Sequence, residues 1–323
     1  MKIIVVGCGL SGIISAVILK SLGHDVDIFE ERLHIGGNCY DNKEKGVLVH
    51  QYGPHAFHTD KKYVWDFLCQ YTKFNNFSLR VVANTSEGQI PIPFNLRSQD
   101  IVGMKDVEQI KKLLFIDYSE KMWGCVWKDV PKAIWSRVPS IRENYDDRYH
   151  TDEFQGVPCG GYTEMFRAML DGIKVHLGVA KHDWKKVKKD LVIYTGKIDD
   201  YYDNIYGELP YRSLKFVKYE DNKRKHVQVN ECNKNPWTRE VDHSHFLNQN
   251  IKQTIITREY PCEHDKTNLP FYPIPSARNI EKYQQYKRLN KYNSKLVFLG
   301  RLATYKYLDM DNAIAQVFKY LKY

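Results

Sequence analysis

No two of the seven cysteines stand in a CxxC pair, and their number is odd: Cys8, Cys39, Cys69, Cys125, Cys159, Cys232 and Cys262. That disfavours both a disulfide framework and a cysteine-bound zinc, and a reducing cytoplasmic setting is expected. No stretch of about 18 apolar residues runs free of charges and breakers, so no membrane span is expected. Internal repeats and low-complexity linkers are absent from the sequence. Recognition-helix, RNP-type and zinc-finger patterns are missing too, which speaks against a nucleic-acid partner. What remains is a chain of 323 residues, 43% hydrophobic, enough for one large or two ordinary globular domains.

The net charge is +9. With nucleic acid set aside, such a balance suits an acidic small molecule such as a nucleotide-sugar diphosphate, although charge alone decides nothing. The two dense basic clusters, KKVKKD at 185–190 and KRK at 223–225, read as solvated surface. Cys159 stands beside Gly160 and Gly161. It reads better as a small residue packed in a turn than as a nucleophile.

Lys2 precedes an apolar run that continues to Leu22, a pattern shared with secretory signal peptides. The glycines argue otherwise. KIIVV is a β-rich run expected for a buried parallel strand. Gly7, Gly9 and Gly12 follow at GxGxxG spacing. The first permits the turn, the second lets backbone approach a pyrophosphate, and the third lets helix and strand pack closely. IISAVILKSL continues as a helix with Gly23 as its stop, and DVDIFE reads as a second strand ending in Glu30. An acid about 20 residues past the glycines accepts hydrogen bonds from ribose hydroxyls. The next segment, ERLHIGGNCY, carries Arg32, a second glycine pair in Gly36 and Gly37, and Asn38. All suit a dinucleotide, and the residues by themselves leave NAD and FAD both open.

HQYGPHAFHT at 50–59, taken with GGNCY, resembles the UDP-galactopyranose mutase family of flavoenzymes. Further blocks follow in family order: IPFN (92–95), YSEKMWG (118–124), FQGVPCGGYTEMF (154–166), YRSLKF (211–216), PWTRE (236–240), YPIP (272–275) and LGRLATYKYLDMD (299–311). The fold this implies is α/β: a Rossmann-like FAD-binding domain, a shortened helical insertion and an antiparallel β-sheet substrate domain. The expected bounds are 1–80 and 296–323 with parts of 155–210 for the first, 96–150 for the insertion with its mobile substrate loop, and 81–95 with 211–295 for the sheet. Patterning agrees loosely, with helices over 104–123 and 161–170, alternating segments in SLKFVKY and KHVQVN, a returning strand in KLVFLG and a final amphipathic helix in DNAIAQVFKYL.

The resemblance implies a reversible ring contraction of UDP-galactopyranose to UDP-galactofuranose without net redox. N5 of reduced FAD attacks the anomeric carbon and expels UDP. The flavin–sugar adduct opens, closes on the other hydroxyl, and UDP returns. An external reductant, NAD(P)H or a reductase, would keep the flavin active. Arg137 in IWSRVP matches the family's mobile-loop arginine, and Arg239 in PWTRE matches its fixed partner. Both suit a departing diphosphate because arginine stays charged and binds phosphate bidentately. Tyr118 and Trp123 match positions that close over the uracil. Asn95, Tyr149, Tyr272, Tyr307 and Asp309 match substrate contacts, and Arg212 is a weaker candidate. His58 is implied beside the flavin ring with His55 close by. Their i, i+3 spacing also fits a metal pair, but no third ligand is near in the sequence, and no metal is expected. Arg301 resembles a contact to the FAD diphosphate, with the Met310 and Asp311 amides facing the cofactor at a helix N-terminus.

Only residues 96–117 separate IPFN from YSEKMWG, shorter than in bacterial members. The family uses the longer insertion partly for dimer contacts, so the oligomeric state is open. Alternatives are a mutase for another UDP-sugar such as UDP-N-acetylgalactosamine, an FAD oxidoreductase of the amine-oxidase type, and an inactive nucleotide-sugar binder. An oxidoreductase would share the glycines and Glu30 but has no need of paired arginines.

Overall fold

The computed structural model describes residues 1–103, 106–135, 141–180 and 182–323. Its first strand, Lys2–Val6, buries Ile3, Ile4 and Val5 without alternation. A strand with apolar residues on both faces needs cover on both sides, and it sits at the centre of a parallel sheet. The order across that sheet is Leu296–Phe298, Leu191–Tyr194, Lys2–Val6, Asp25–Phe29 and Lys174–His176. Both chain termini therefore build it. The helix Leu10–Ser21 is apolar around most of its circumference and buries residues 11–19. It packs against the strands on one side and the last helix, Met310–Leu321, on another. That last helix is amphipathic, and it turns Ala313, Ile314, Val317 and Phe318 inward.

The second sheet has seven strands in the order Tyr272–Pro273, Tyr211–Asn222, Gln253–Glu263, Arg239–Asp242, Gln228–Glu231, Val81–Thr85 and Gly88–Ile92. It is antiparallel except at one junction, where Val81–Thr85 runs parallel to Gln228–Glu231. The antiparallel sheet expected from the sequence is present, with this one parallel pair inside it. A parallel pair requires a crossover, and the chain supplies one by leaving after Ile92, building the insertion and two strands of the first sheet, and returning at Tyr211.

The insertion opens with helix Leu96–Val102. The helical pattern over 104–123 is realised as Val107–Lys111, a π-helical stretch Lys112–Ile116, and Asp117–Trp123. Gly124, at φ +66, ends this run in the left-handed conformation that glycine adopts freely. The described helices include none long and apolar enough to cross a membrane.

Candidate active site

A cavity of about 740 Å3 runs along the carboxyl edge of the parallel sheet. Gly7 is at φ +100, and a Cβ there would lie 2.1 Å from Thr195 Oγ1. A Cβ on Gly37 would lie 2.8 Å from Gly9 Cα. The two glycine turns thus abut, Gly9 forming a bridge to Gly36, and together they give the cavity a floor of bare backbone. Gly12 is outside the lining: a Cβ there would meet the Gly7 carbonyl oxygen at 1.9 Å. Its role is the close approach of helix to turn.

Glu30 is buried in the lining, where its carboxylate accepts the Cys8 N–H at 2.6 Å and the Arg32 N–H at 2.9 Å. Each oxygen keeps a lone pair for a ligand hydroxyl. Arg32 donates from Nη2 to Asn38 Oδ1 at 3.0 Å, and its Cζ stands 4.9 Å from the Tyr52 ring centroid. Its Nη1 is buried with no protein partner. An orphaned guanidinium donor beside bare glycine backbone, with Met310 at the N-terminus of the last helix in the same lining, fits an anionic dinucleotide. Asp311 takes no part in the lining. Its carboxylate pairs with Lys61 and accepts from Thr59 Oγ1, which ties the last helix to the strand Phe57–Thr59.

At the other end the lining includes His55, Arg301, Leu308 and Asp309. Arg301 is held by the Phe271 carbonyl at 3.2 Å and the Leu308 carbonyl at 2.6 Å. His55 Nδ1 lies 2.8 Å from the Gly53 carbonyl. A carbonyl only accepts, so that nitrogen carries the proton and Nε2 is left as an acceptor. Burial, with Arg301 and Arg239 acting in the same direction, pushes the His55 pKa down to about 4. The imidazole is therefore neutral at physiological pH.

Tyr118, Trp123, Tyr272 and Tyr307 meet in one apolar cluster next to Arg301. Tyr272 lies 4.9 Å from Tyr307 and 6.2 Å from Trp123, ring centroid to centroid. The Arg301 guanidinium stands 5.5 Å from the first of these rings and 5.1 Å from the second. Arg239 donates from Nη2 to the Tyr118 hydroxyl at 3.2 Å, and its Nε lies 3.2 Å from Glu259 Oε2. Burial opposes the charge on Arg239, but Glu259 and Tyr118 outweigh it and hold its pKa well above the usual value. Burial also raises the Tyr118 and Tyr272 phenols, which keeps both as hydroxyl donors.

Other expected site residues are placed elsewhere. Arg137 lies outside the described residues. Asn95 is 1% exposed and caps helix Leu96–Val102: its Oδ1 accepts the Ser98 N–H at 3.0 Å, and its Nδ2 donates to the Asp146 carbonyl. It has a structural task where a substrate contact was expected. Arg212 is likewise committed, its Nε donating to the Met122 carbonyl at 2.9 Å and its guanidinium packing against Gly124. Tyr149 packs against the main core, edge-on to His150. His58 is not in the cavity lining. The pleat that buries Phe57 and Thr59 turns it to the opposite face, where Nδ1 lies 3.1 Å from Asp152 Oδ2 and the ring stacks on His150.

Two residues escaped the sequence reading. Glu259 is a buried acid on the same strand face as Ile255 and Thr257. That inward position was the available signal, since a buried carboxylate needs a cation. Lys121 gave no signal. Its Nζ donates to the carbonyls of Glu231, Asn233, Asn235 and Trp237 at 2.6–3.0 Å. It joins the helix carrying Tyr118 and Trp123 to the segment that leads into Arg239.

The family model for UDP-galactopyranose mutase matches residues 113–307, and a model for an NAD(P)-binding Rossmann-like domain matches 5–71. The chain is 32% identical to dTDP-fucopyranose mutase of Escherichia coli, covering 98% of this chain and 96% of that one. It is 31% identical to the probable UDP-galactopyranose mutase of Klebsiella pneumoniae, over 98% and 93%. The crystal structure of a reduced UDP-galactopyranose mutase superimposes with a TM-score of 0.77 at 15% identity, covering 99% of this chain and 95% of that one. A putrescine oxidase shares the fold at 12% identity, with a TM-score of 0.60 over 100% of this chain and 98% of the other. Identity over nearly the whole length, with a family model over more than half of it, makes this chain a member of the UDP-galactopyranose mutase family.

Proposed function

We propose that the chain interconverts the pyranose and furanose forms of a nucleotide diphosphate hexose, UDP-galactose in the first reading, with FAD held in the glycine-floored cavity in its reduced state. The observation that carries this is that two guanidinium groups, Arg301 in the cavity lining and Arg239 on the Tyr118 hydroxyl, flank one cluster of Tyr118, Trp123, Tyr272 and Tyr307. A redox enzyme of this fold has no need of such a concentration of cations beside its cofactor. A sugar nucleotide whose diphosphate leaves and returns does.

Gly7, Gly9, Gly36 and Gly37, with Arg32 and the amide of Met310, would hold the dinucleotide phosphates, and Glu30 a ribose. Reduced flavin supplies an electron-rich nitrogen nucleophile. The protein's own work is binding, orientation and charge. Tyr118 and Trp123 offer flat faces for the base, where stacking is worth roughly 1–3 kcal/mol. Arg239 is preorganised by Glu259 and Tyr118, so it meets the developing diphosphate charge without rearranging. The Tyr272 and Tyr307 hydroxyls donate to the same oxygens. Arg137, by family resemblance, would add a further cation, and the neutral Nε2 of His55 would be left to accept a hydrogen bond at the cofactor. NAD(P)H or a reductase is the expected source of electrons.

The test is the chain loaded with FAD, reduced by dithionite and given UDP-galactofuranose, with products resolved by liquid chromatography. UDP-galactopyranose should appear. A preparation holding reduced FAD that converts nothing overturns the reading. The 32% identity to a dTDP-fucopyranose mutase favours one second reading, a dTDP-6-deoxyhexose substrate. Parallel assays with dTDP-fucofuranose separate the two.

A further inference from the structure

The strand Phe57–Thr59 pairs antiparallel with Phe154–Gly156, His58 opposite Gln155. The segment just before the partner strand folds back over the face to which His58 points. His150 stacks on His58 with ring centroids 3.5 Å apart and planes 10° from parallel. Asp152 Oδ2 stands 3.1 Å from His58 Nδ1. One donor atom from each of the three lies within 4.8 Å of the others. Two donors come from a loop far along the chain, which is why the sequence offered no third ligand.

The backbone that presents them is already fixed. Gln155 Nε2 donates to the His150 carbonyl at 3.1 Å and to the Asp152 carbonyl at 2.8 Å, while its Oε1 accepts from Ser78 Oγ at 3.0 Å. The Glu153 N–H donates to Asp60 Oδ1 at 2.8 Å. The side chains are recessed but reachable, His58 at 18% exposure and Asp152 at 23%.

We propose that His58, His150 and Asp152 bind one divalent transition-metal ion of the Zn2+ type, with water in a fourth position. Two imidazoles and one carboxylate are borderline ligands that suit Zn2+, and they are too few and too nitrogen-rich for Ca2+ or Mg2+. Metal–ligand bonds of about 2.0–2.2 Å in a tetrahedron set neighbouring donors roughly 3.3 Å apart. The His58–Asp152 separation of 3.1 Å is close to that, and all three donor atoms already lie within 4.8 Å of one another. The stacked rings must fan apart so that their lone pairs converge. The ion takes the place of the direct contact between His58 Nδ1 and Asp152 Oδ2. It tethers the segment after Tyr149 to the strand after His55, without touching the cofactor cavity.

Isothermal titration of the metal-free, flavin-loaded full chain with ZnCl2 tests this, with MgCl2 as the control. The expected result is one Zn2+ per chain, no saturable response to Mg2+, and a higher melting temperature with Zn2+ present. Asp152→Asn and His150→Phe should each weaken zinc binding more than about tenfold. The phenylalanine keeps a ring in the stack, so it decides the question if the asparagine variant fails to fold. No saturable zinc binding overturns the proposal. So does binding unchanged in His150→Phe, which would place the ion on exposed thiols such as Cys69 or Cys159.

Discussion

At one end of the cavity Gly7, Gly9, Gly36 and Gly37 present bare backbone. Beyond Arg301 at the other end, outside the lining itself, Tyr118, Trp123, Arg239, Tyr272 and Tyr307 crowd together from separate stretches of the insertion, the second sheet and the chain's end. The first end is defined by atoms that are missing, the second by side chains that other side chains hold. The two ends should therefore fail differently. An added methyl damages the first by collision, with folding and cofactor binding lost together. A conservative swap damages the second by loosening it, with turnover lost and the fold kept.

Gly12→Ala, just behind the lining, is the strongest probe of the turn that forms the first end. Its Cβ meets a backbone oxygen at 1.9 Å, which no rotamer relieves, and overpacking of this kind costs about 3 kcal/mol or more. Urea denaturation should show that loss, with little flavin retained. A variant that keeps both stability and flavin would erase the contrast. Arg239→Lys probes the second end. It keeps the charge beside Glu259 but loses the planar fork, so kcat should fall about 10²-fold while flavin absorbance stays the same. Loss of flavin instead would place Arg239 with the cofactor.

Lys121→Met sharpens the comparison at a residue that touches neither end. It removes a charged donor from four carbonyls, at a cost of about 1.5–3 kcal/mol. The link between the Tyr118 helix and the Arg239 strand should loosen, so KM for the sugar nucleotide should rise more than kcat falls. Ammonium in the buffer should restore part of the loss by filling the position that Nζ vacates. Equal changes in both constants without ammonium rescue would make Lys121 a purely structural clamp.

The smallest effect is in pH. His55 and the fully buried His243 have pKa values pushed down to about 4 and about 3, burial being the main cause in each. The unfolded chain binds protons at these sites below about pH 6.5, where the folded chain does not. Stability should therefore decline as pH falls from 6.5 towards 4. Denaturant midpoints at pH 7 and pH 5 measure this, and His243→Gln should flatten the difference.

The cofactor end was legible because its instructions are local. GxGxxG, the acid at Glu30 and the Gly36–Gly37 pair lie within one short stretch, and each glycine answers a steric demand that its sequence neighbours create. Asn95 and Arg212 show the converse. Their motifs fit a substrate contact, but an asparagine before a helix is also an ideal cap, and a buried arginine bonds the nearest carbonyl. His58 is turned from the cavity by the pleat: one residue of register decides which face a strand side chain takes.

The sequence by itself determined the dinucleotide turn, the strand and helix periods and the family, because these depend on spacing along the chain. Only the tertiary structure decided that Lys121 sits among carbonyls of residues 231–237, that Glu259 backs Arg239, and that His150 and Asp152 join His58. Each of these is a meeting of residues distant in sequence, fixed by how two sheets and a crossover are stacked. No pattern in one segment encodes its distance to another.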